Sequence, residues 1–221
     1  MSWESSILYE RLINEETRRR LGGVHSADLV IRSYDFARIE ALQAADRWDE
    51  AGELLAADAV RLQEAGAECL VLCTNTMHRV APAIEAAIDI PFLHLADATA
   101  SAVLEAGVDR VALLGTRFTM EQAFYRGRLE ARGLDVVVPD ADDRDTVHDV
   151  IYEELVRGIV RPESKAAYLA VIGRLVDAGA AGVIAGCTEI ELLVGPDDVT
   201  VPFFPTTRLH ATAAVDWSLS P

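Results

Sequence analysis

The sequence predicts an α/β fold built on parallel sheets, and three observations support this prediction. From residue 65 onward, hydrophobic runs with strand character alternate with stretches of helical periodicity. Three helical stretches, ending at Ala65-Gly66, Ala106-Gly107 and Ala178-Gly179, each lead through a short turn into a hydrophobic strand that closes on a Thr. About half of the 221 residues are hydrophobic, which is enough for a substantial core. This alternation is typical of parallel sheets covered by helices, and it divides best into two similar halves.

The first predicted elements are mostly helical. Apolar residues at helical spacing predict a helix that includes Ile7 and ends at the C-cap signal Gly22-Gly23. A strand is predicted over 27–33, and two helices over 39–45 and 49–64. No strand precedes the first helix, although an α/β chain usually opens with one.

The remaining elements alternate in the order that parallel sheets require. Strands are predicted at 69–72, 91–95, 110–116, 135–138, 182–185 and 201–204. Helices are predicted at 97–105, at 119–132, from the acidic stretch 140–145 to Gly158, at 162–178, and from Thr206 or Thr207 onward. The domain boundaries follow from this order: residues 1–92 and 203–221 form a first domain, and 93–202 form a second.

Charge and cysteine content exclude several classes of function. The 20 basic and 36 acidic residues give a net charge of −16, which repels phosphate backbones and anionic membrane surfaces, so neither nucleic acid nor a membrane is an expected partner. Three cysteines, with no signal peptide and no long apolar run, indicate free thiols in a reducing cytoplasm. Zinc is disfavoured because the chain has no C-x-x-C pair and no second pair near Cys73 and His78.

Two of the cysteines follow predicted strands at positions where α/β proteins bind ligands. Cys73 and Cys187 each stand between a strand and a helix start, where exposed backbone N–H groups favour a carboxylate or a thiolate. We expect the helix dipole to lower the pKa of each thiol below its free value of about 8.5. Two acid/base thiols on opposite faces of a substrate would racemise or epimerise it without a cofactor. Cys69, in mid-strand, is expected to be structural.

The residues around these cysteines resemble a known family. Cys73-Thr74-Asn75-Thr76-x-His78 and Gly186-Cys187-Thr188-Glu189 are similar to the paired motifs of the cofactor-independent aspartate/glutamate racemases. Further stretches, such as Leu113-Leu114-Gly115-Thr116-Arg117, resemble the branch that contains the L-aspartate/glutamate-specific, broad-specificity racemases. The similarity covers nearly the whole chain. It implies two pseudo-symmetric Rossmann-like domains with the active site in the cleft between them, commonly in a homodimer.

The resemblance also implies an activity and a set of site residues. The activity is an isomerase reaction without pyridoxal phosphate or metal, in which one cysteine thiolate removes the Cα proton of aspartate or glutamate and the other cysteine returns one. Cys73 and Cys187 would be these two bases. The α-carboxylate and amino group of the substrate would be bound by Ser2, Thr74, Asn75, Thr76, Thr116 and Thr188.

The resemblance leaves two readings open for four further residues. Glu189 would receive the substrate ammonium or would favour the helix dipole. His78 would act in the site or would only brace the cysteine loop. Arg38 and Lys165 would each grip the side-chain carboxylate of the substrate, or would be solvated surface cations.

The chain departs from the family at its start. Family members have a β-strand and a Gly-Gly immediately before the part that matches Met1-Ser2-Trp3, and this chain begins at that Met. The resemblance therefore implies that the first domain lacks its first strand. Either the true start lies upstream or the product lacks an edge of its active site, and the first is favoured because every later motif is intact.

Other functions compete with this one. Within the same superfamily the alternatives are a hydantoin racemase, a cis/trans isomerase and a decarboxylase, the last disfavoured because decarboxylases keep only one of the two cysteines. An inactive ligand-binding homologue is a further alternative, suggested by the shortened start. A Rossmann-like nucleotide binder is disfavoured because no G-x-G-x-x-G follows a strand and no P-loop is present.

Overall fold

The computed structural model describes residues 1–220, and in these residues every strand pairing is parallel. The helices are α1 (Trp3–Leu21), α2 (Phe36–Ala44), α3 (Trp48–Glu64), α4 (Ala81–Glu85), α5 (Leu95–Glu105), α6 (Arg117–Glu121), α7 (Ala123–Ala131), α8 (Ala141–Glu153), α9 (Pro162–Asp177) and α10 (Thr206–Ser218). The strands are β1 (Leu70–Val71), β2 (Phe92–Leu93), β3 (Arg110–Gly115), β4 (Asp135–Val137), β5 (Gly182–Gly186) and β6 (Phe203–Pro205). The predicted α/β fold with parallel sheets is confirmed.

The chain forms two compact units. The first contains Met1–His94 and the C-terminal segment from His210, and the second contains Leu95–Leu209. The first unit has the two-stranded sheet β1-β2, and the second has a four-stranded sheet in the order β4-β3-β5-β6. Because β6 pairs with β5 in the second unit, the chain passes from the second unit to the first inside α10.

The sheet of the second unit is buried on both faces. Along β3 and β5, Ala112, Leu114, Val183 and Ala185 belong to the core under α8 and α9. Their neighbours Val111, Leu113 and Ile184 belong to the core under α5 and α7. Since successive side chains of a strand point to opposite faces, a sheet covered on both sides needs apolar residues at every position. This requirement explains the continuous hydrophobic runs in the sequence.

Helix ends in the structure follow the sequence signals closely. The side chain of Ser2 caps the first turn of α1 by accepting from Ser5 N–H, and α1 ends at Gly22 as predicted. Asp140 caps α8 in the same way, accepting from Asp143 N–H. After α9, Gly179 has a φ of 98°, a left-handed conformation that favours glycine and turns the chain into β5.

The core of the first unit packs α1 against α10. Tyr9, Leu12 and Ile13 of α1 are buried against Ala211, Ala214 and Val215 of α10. Val71 of β1 and Leu93 of β2 pack on the edge of this cluster. The short sheet and the loop that follows β1 therefore rest on two long helices.

The predicted strand at 27–33 is absent, which corrects the sequence-based assignment. Residues 28–34 form neither helix nor strand, and their backbone makes no hydrogen bond to another backbone segment within residues 1–220. Leu29, Val30 and Ile31 are 39%, 52% and 48% exposed, and they line an open cavity of about 580 Å³ that Leu70–Leu72 also line. A β-branched apolar run becomes a strand only when a neighbour completes its hydrogen-bond ladder, and this run has no neighbour.

Candidate active site

Thr116 and Cys187 lie at the same edge of the second unit's sheet. Gly115 ends β3 and Gly186 ends β5, and these two glycines are partners in the parallel register. A Cβ on Gly186 would lie 2.7 Å from the carbonyl oxygen of Leu114, so only glycine lets the strands approach this closely. The residues that follow the two glycines are therefore brought together by strand pairing.

Cys187 faces a buried carboxylate. Its Sγ donates to Oε2 of Glu189 at 3.0 Å, and Thr188 Oγ1 donates to the same oxygen at 2.6 Å. The three residues are 7–8% exposed. Burial, together with the negative charge of Glu189, raises the pKa of the Cys187 thiol well above its usual range. Burial alone would also raise the pKa of Glu189, but a favourable positive charge, together with the thiol and hydroxyl donors, holds the pKa of its carboxyl below the usual range.

The structure gives Glu189 two hydrogen-bond partners on its own loop. The sequence predicts a contact with the substrate ammonium or with the helix dipole, and in the structure the carboxylate accepts from Cys187 and Thr188. An ionised carboxylate in hydrogen-bond contact with a thiol can accept the thiol proton. Cys187 and Glu189 together therefore have the geometry of a nucleophile or base with an attached proton acceptor.

Cys73 has different surroundings in the first unit. It follows β1, and its Sγ donates to the carbonyl oxygen of Val71 at 3.8 Å. Burial raises the pKa of the Cys73 thiol to about 12. The amino group of Met1 donates to the Cys73 carbonyl at 3.2 Å, and His78 Nδ1 lies 2.6 Å from the Thr74 carbonyl. The peptide groups on both sides of Thr74 are thus held by neighbours outside the strand.

The expectation that both thiols have lowered pKa values is wrong. Burial outweighs the helix dipole at both sites. The helical segments after the two cysteines are short 3₁₀ turns, Thr76–Val80 and Thr188–Leu192, so the partial charge at their amino ends is small. In the unliganded protein both cysteines are therefore thiols at neutral pH.

The remaining predicted substrate contacts are buried in their own units. Those in the first unit are Ser2, Thr74, Asn75 and Thr76, and those in the second are Thr116 and Thr188. The hydroxyls of Ser2 and Thr116 both cap helices, the second by accepting from Thr119 N–H at 3.4 Å. Thr74, Asn75 and Thr76 therefore lie on the loop after β1, Ser2 lies at the start of α1, and Thr116 and Thr188 lie at the ends of β3 and β5.

The two predicted cations differ in their surroundings. Arg38 is exposed on α2, and within residues 1–220 it has no ion-pair partner. Lys165 lies on α9 and pairs with Asp198, with 2.7 Å between Nζ and Oδ1. Lys165 is also the one lysine of the sequence, in which every other basic side chain apart from histidine is an arginine.

Sequence reasoning missed the partners of the Cys73 loop. His94 and His210 are buried with His78, and Tyr9 donates toward His210. Nothing local in the sequence marks this group, because its members are up to 201 residues apart. No three His, Cys, Asp or Glu side chains within residues 1–220 come together in a way that could hold a metal ion.

A family comparison bears on this geometry. The sequence profile described as Asp/Glu/hydantoin racemase matches residues 1–214. Among curated proteins, the chain is 22% identical over 175 residues to the broad-specificity amino-acid racemase RacX of Bacillus subtilis, covering 78% of this chain and 74% of that protein.

Solved structures are similar over nearly the full chain. A candidate Asp/Glu racemase from Yersinia pestis is 52% identical, with a TM-score of 0.94 over 100% of this chain and 96% of that one. An aspartate racemase homologue from Pyrococcus horikoshii OT3 is 31% identical, with a TM-score of 0.86 over 98% of this chain and 95% of that one. Within residues 1–220, none of the helices combines the length and the apolar character needed to cross a membrane.

Proposed function

Because this chain belongs to the Asp/Glu/hydantoin racemase family and is an isomerase of the amino-acid racemase type, we propose that it interconverts the enantiomers of aspartate or glutamate. In this proposal Cys73 and Cys187 are the two bases, and no pyridoxal phosphate takes part. The observation that carries it is the contact of the Cys187 thiol with the buried Glu189 carboxylate. A second cysteine at the matching position after β1 supports a reaction that needs two proton-exchanging groups.

The first step forms the thiolate and removes the proton. The Cys187 thiol passes its proton to the Glu189 carboxylate, and the resulting thiolate takes the proton from Cα of the substrate. The C–H bond breaks, and its electron pair remains on Cα, delocalised into the α-carboxylate. The positive ammonium of the substrate favours a thiolate beside it, which offsets the raised thiol pKa of the unliganded protein.

The second step returns a proton to the other face of Cα. The S–H bond of Cys73 breaks and its proton goes to the carbanion, which inverts the configuration. Cys73 is left as a thiolate, Cys187 as a thiol and Glu189 as an acid. Proton exchange with water restores Cys73 and Glu189. For the other enantiomer the two cysteines exchange roles: the Cys73 thiol loses its proton to water, the Cys73 thiolate takes the Cα proton, and the Cys187 thiol returns a proton to the opposite face.

The substrate contacts follow the two loops. In this proposal the α-carboxylate is bound by backbone N–H groups and hydroxyls of the residues Thr74, Asn75, Thr76, Thr116 and Thr188, with Ser2 beside them. Lys165 or Arg38 binds the side-chain carboxylate. Lys165 supports an acidic substrate because its ammonium already binds one carboxylate, that of Asp198, which a substrate carboxylate would replace.

The proposed setting is the cytosol and the proposed assembly is a homodimer. All three cysteines are free, as expected in a reducing compartment. The −16 net charge supports a small-molecule substrate over a polyanionic partner.

The test compares single Cys→Ser variants with a matched control. Purified protein is incubated with L-aspartate or L-glutamate in deuterium oxide, and Cα exchange is followed by proton NMR together with optical rotation. We expect C73S and C187S each to lose racemisation by at least about 10²-fold, because each removes a proton-transfer group. The control C69S changes a cysteine outside both loops and retains turnover. Full racemisation by C73S or by C187S would contradict the two-base mechanism.

A further inference from the structure

Three of the five histidines of the chain are buried together in the first unit. The rings of His78 and His94 have centroids 4.4 Å apart, and those of His78 and His210 are 6.0 Å apart. His78 is 1% exposed and His210 is fully buried. None of the three has a part in the proton transfers described above.

The hydrogen bonds of two of these rings fix their tautomers. A carbonyl oxygen can only accept, so His78 must carry its proton on Nδ1, which lies 2.6 Å from the Thr74 carbonyl. By the same reasoning His210 is protonated on Nε2, 2.7 Å from the Leu93 carbonyl. Its Nδ1 then accepts from the Tyr9 hydroxyl at 2.9 Å. The His210 ring thus connects α1, β2 and α10.

The bond from His78 acts on the peptide group between Thr74 and Asn75. A trans peptide is planar, so the C=O of Thr74 and the N–H of Asn75 point in opposite directions. Holding the Thr74 carbonyl on the His78 side therefore sets the direction of the Asn75 N–H. The backbone N–H of His78 also donates to the Asn75 carbonyl at 3.0 Å. The peptide groups before and after Asn75 are therefore both held by His78.

We propose that His78 is a positioning residue for substrate binding, which orients the Asn75 N–H toward the substrate carboxylate through its bond to the Thr74 carbonyl. This inference rests on the proposed function, since it needs a carboxylate substrate beside Cys73. His94 and His210 hold the His78 ring in place by packing against it. His78 itself does not touch the substrate, so its contribution depends on where its donor nitrogen lies.

The test uses two variants that carry the same amide at different positions. In His78→Asn the amide nitrogen takes the place of Nδ1 and can still donate to the Thr74 carbonyl. In His78→Gln the amide lies near the place of Nε2 and cannot make that bond without leaving its position. Because both side chains are polar and similar in size, the pair separates donor position from packing.

Two measurements are made on wild type and both variants. The first is the rate of Cys73 alkylation by iodoacetamide with and without L-aspartate, read by peptide mass spectrometry, with Cys69, which lies outside both cysteine loops, as the internal reference. The second is KM and kcat for L-aspartate racemisation. In H78Q we expect iodoacetamide to alkylate Cys73 about fivefold faster, and aspartate no longer to protect Cys73. KM should rise by about fivefold more than kcat falls, which corresponds to one lost hydrogen bond. H78N is expected to keep wild-type values.

Three results would overturn the proposal. They are wild-type behaviour in H78Q, equal defects in H78N and H78Q, or a defect confined to kcat. Since the unliganded alkylation rate of Cys73 needs neither substrate nor turnover, a protein that fails to racemise aspartate would refute the proposed substrate while H78N and H78Q still tested the positioning of the loop.

Discussion

At the scale of single residues, the two cysteines share a position but differ in chemistry. Cys187 donates to an ionised carboxylate, whereas Cys73 donates to a backbone carbonyl. A carboxylate can take the proton and a carbonyl cannot, so only Cys187 has a proton acceptor attached in the unliganded protein. This asymmetry follows from one side chain, Glu189, two positions after the cysteine.

Glu189→Gln tests this asymmetry. The substitution removes the negative charge that raises the pKa of Cys187, so that pKa should fall and iodoacetamide should alkylate Cys187 faster. Racemisation should nevertheless slow by about 10²-fold or more, because the proton acceptor is gone. Peptide mass spectrometry and polarimetry measure the two effects. Glu191→Gln, in the same 3₁₀ turn, is the control for loss of a carboxylate, and unchanged turnover in E189Q would exclude Glu189 as the acceptor.

At the scale of elements, the site depends on where strands end. The paired glycines Gly115 and Gly186 let β3 and β5 finish side by side, which delivers Thr116 and Cys187 to one edge of the sheet. Ligand sites of open α/β sheets lie at this carboxyl edge. In the first unit the sheet has only two short strands, and the loop after β1 is held by the Met1 amino group and by the His78 ring.

Gly186→Ala should therefore lower the stability of the fold. The added Cβ would lie 2.7 Å from the Leu114 carbonyl, a backbone atom that cannot yield without moving β3. We expect a loss of about 1–3 kcal/mol in the free energy of unfolding, measured by urea denaturation, together with reduced turnover. Gly173→Ala is the matched control, because a Cβ there meets nothing within 4 Å and the site is inside α9, where alanine should add about 0.5–1 kcal/mol. Equal stability of the two variants would show that the close approach of β3 and β5 is unimportant.

At the scale of the whole molecule, charge and buried histidines set the response to pH and to ligands. The −16 net charge repels an anionic amino acid, so binding relies on local cations and backbone N–H groups. In the first unit, burial lowers the pKa of His210 from 6.5 to about 4. A neutral imidazole at this position is therefore part of the folded structure.

This shift predicts acid sensitivity. Because the unfolded chain binds a proton at His210 more readily than the folded one, the stabilisation is complete above pH 6.5 and is lost as the pH falls toward about 4. Between pH 6.5 and about 4, this titration lowers the free energy of unfolding by about 3 kcal/mol. His210→Gln keeps a donor for Leu93 but does not titrate, so its unfolding free energy should fall less steeply between pH 6.5 and 4. Identical slopes for wild type and H210Q in urea titrations would refute the assignment.

The sequence by itself determined the architecture and the two cysteine loops. Helix caps, the Ala-Gly turns and the apolar runs are local signals, so they predicted the order of elements from residue 65 onward, the parallel sheets and the positions of Cys73 and Cys187 after strands. Such features need no information from distant parts of the chain.

Tertiary structure decided what depends on distant neighbours. The run at 27–33 has strand character but no ladder partner, and only the fold reveals that. Burial of the thiols depends on the residues packed around them, which reversed the expected direction of their pKa shifts. The contact of Tyr9 with His210 joins residues 201 positions apart, so no local pattern predicts the support of the Cys73 loop. Desolvation and long-range hydrogen bonds are properties of the packed chain, and for that reason the sequence alone could not supply them.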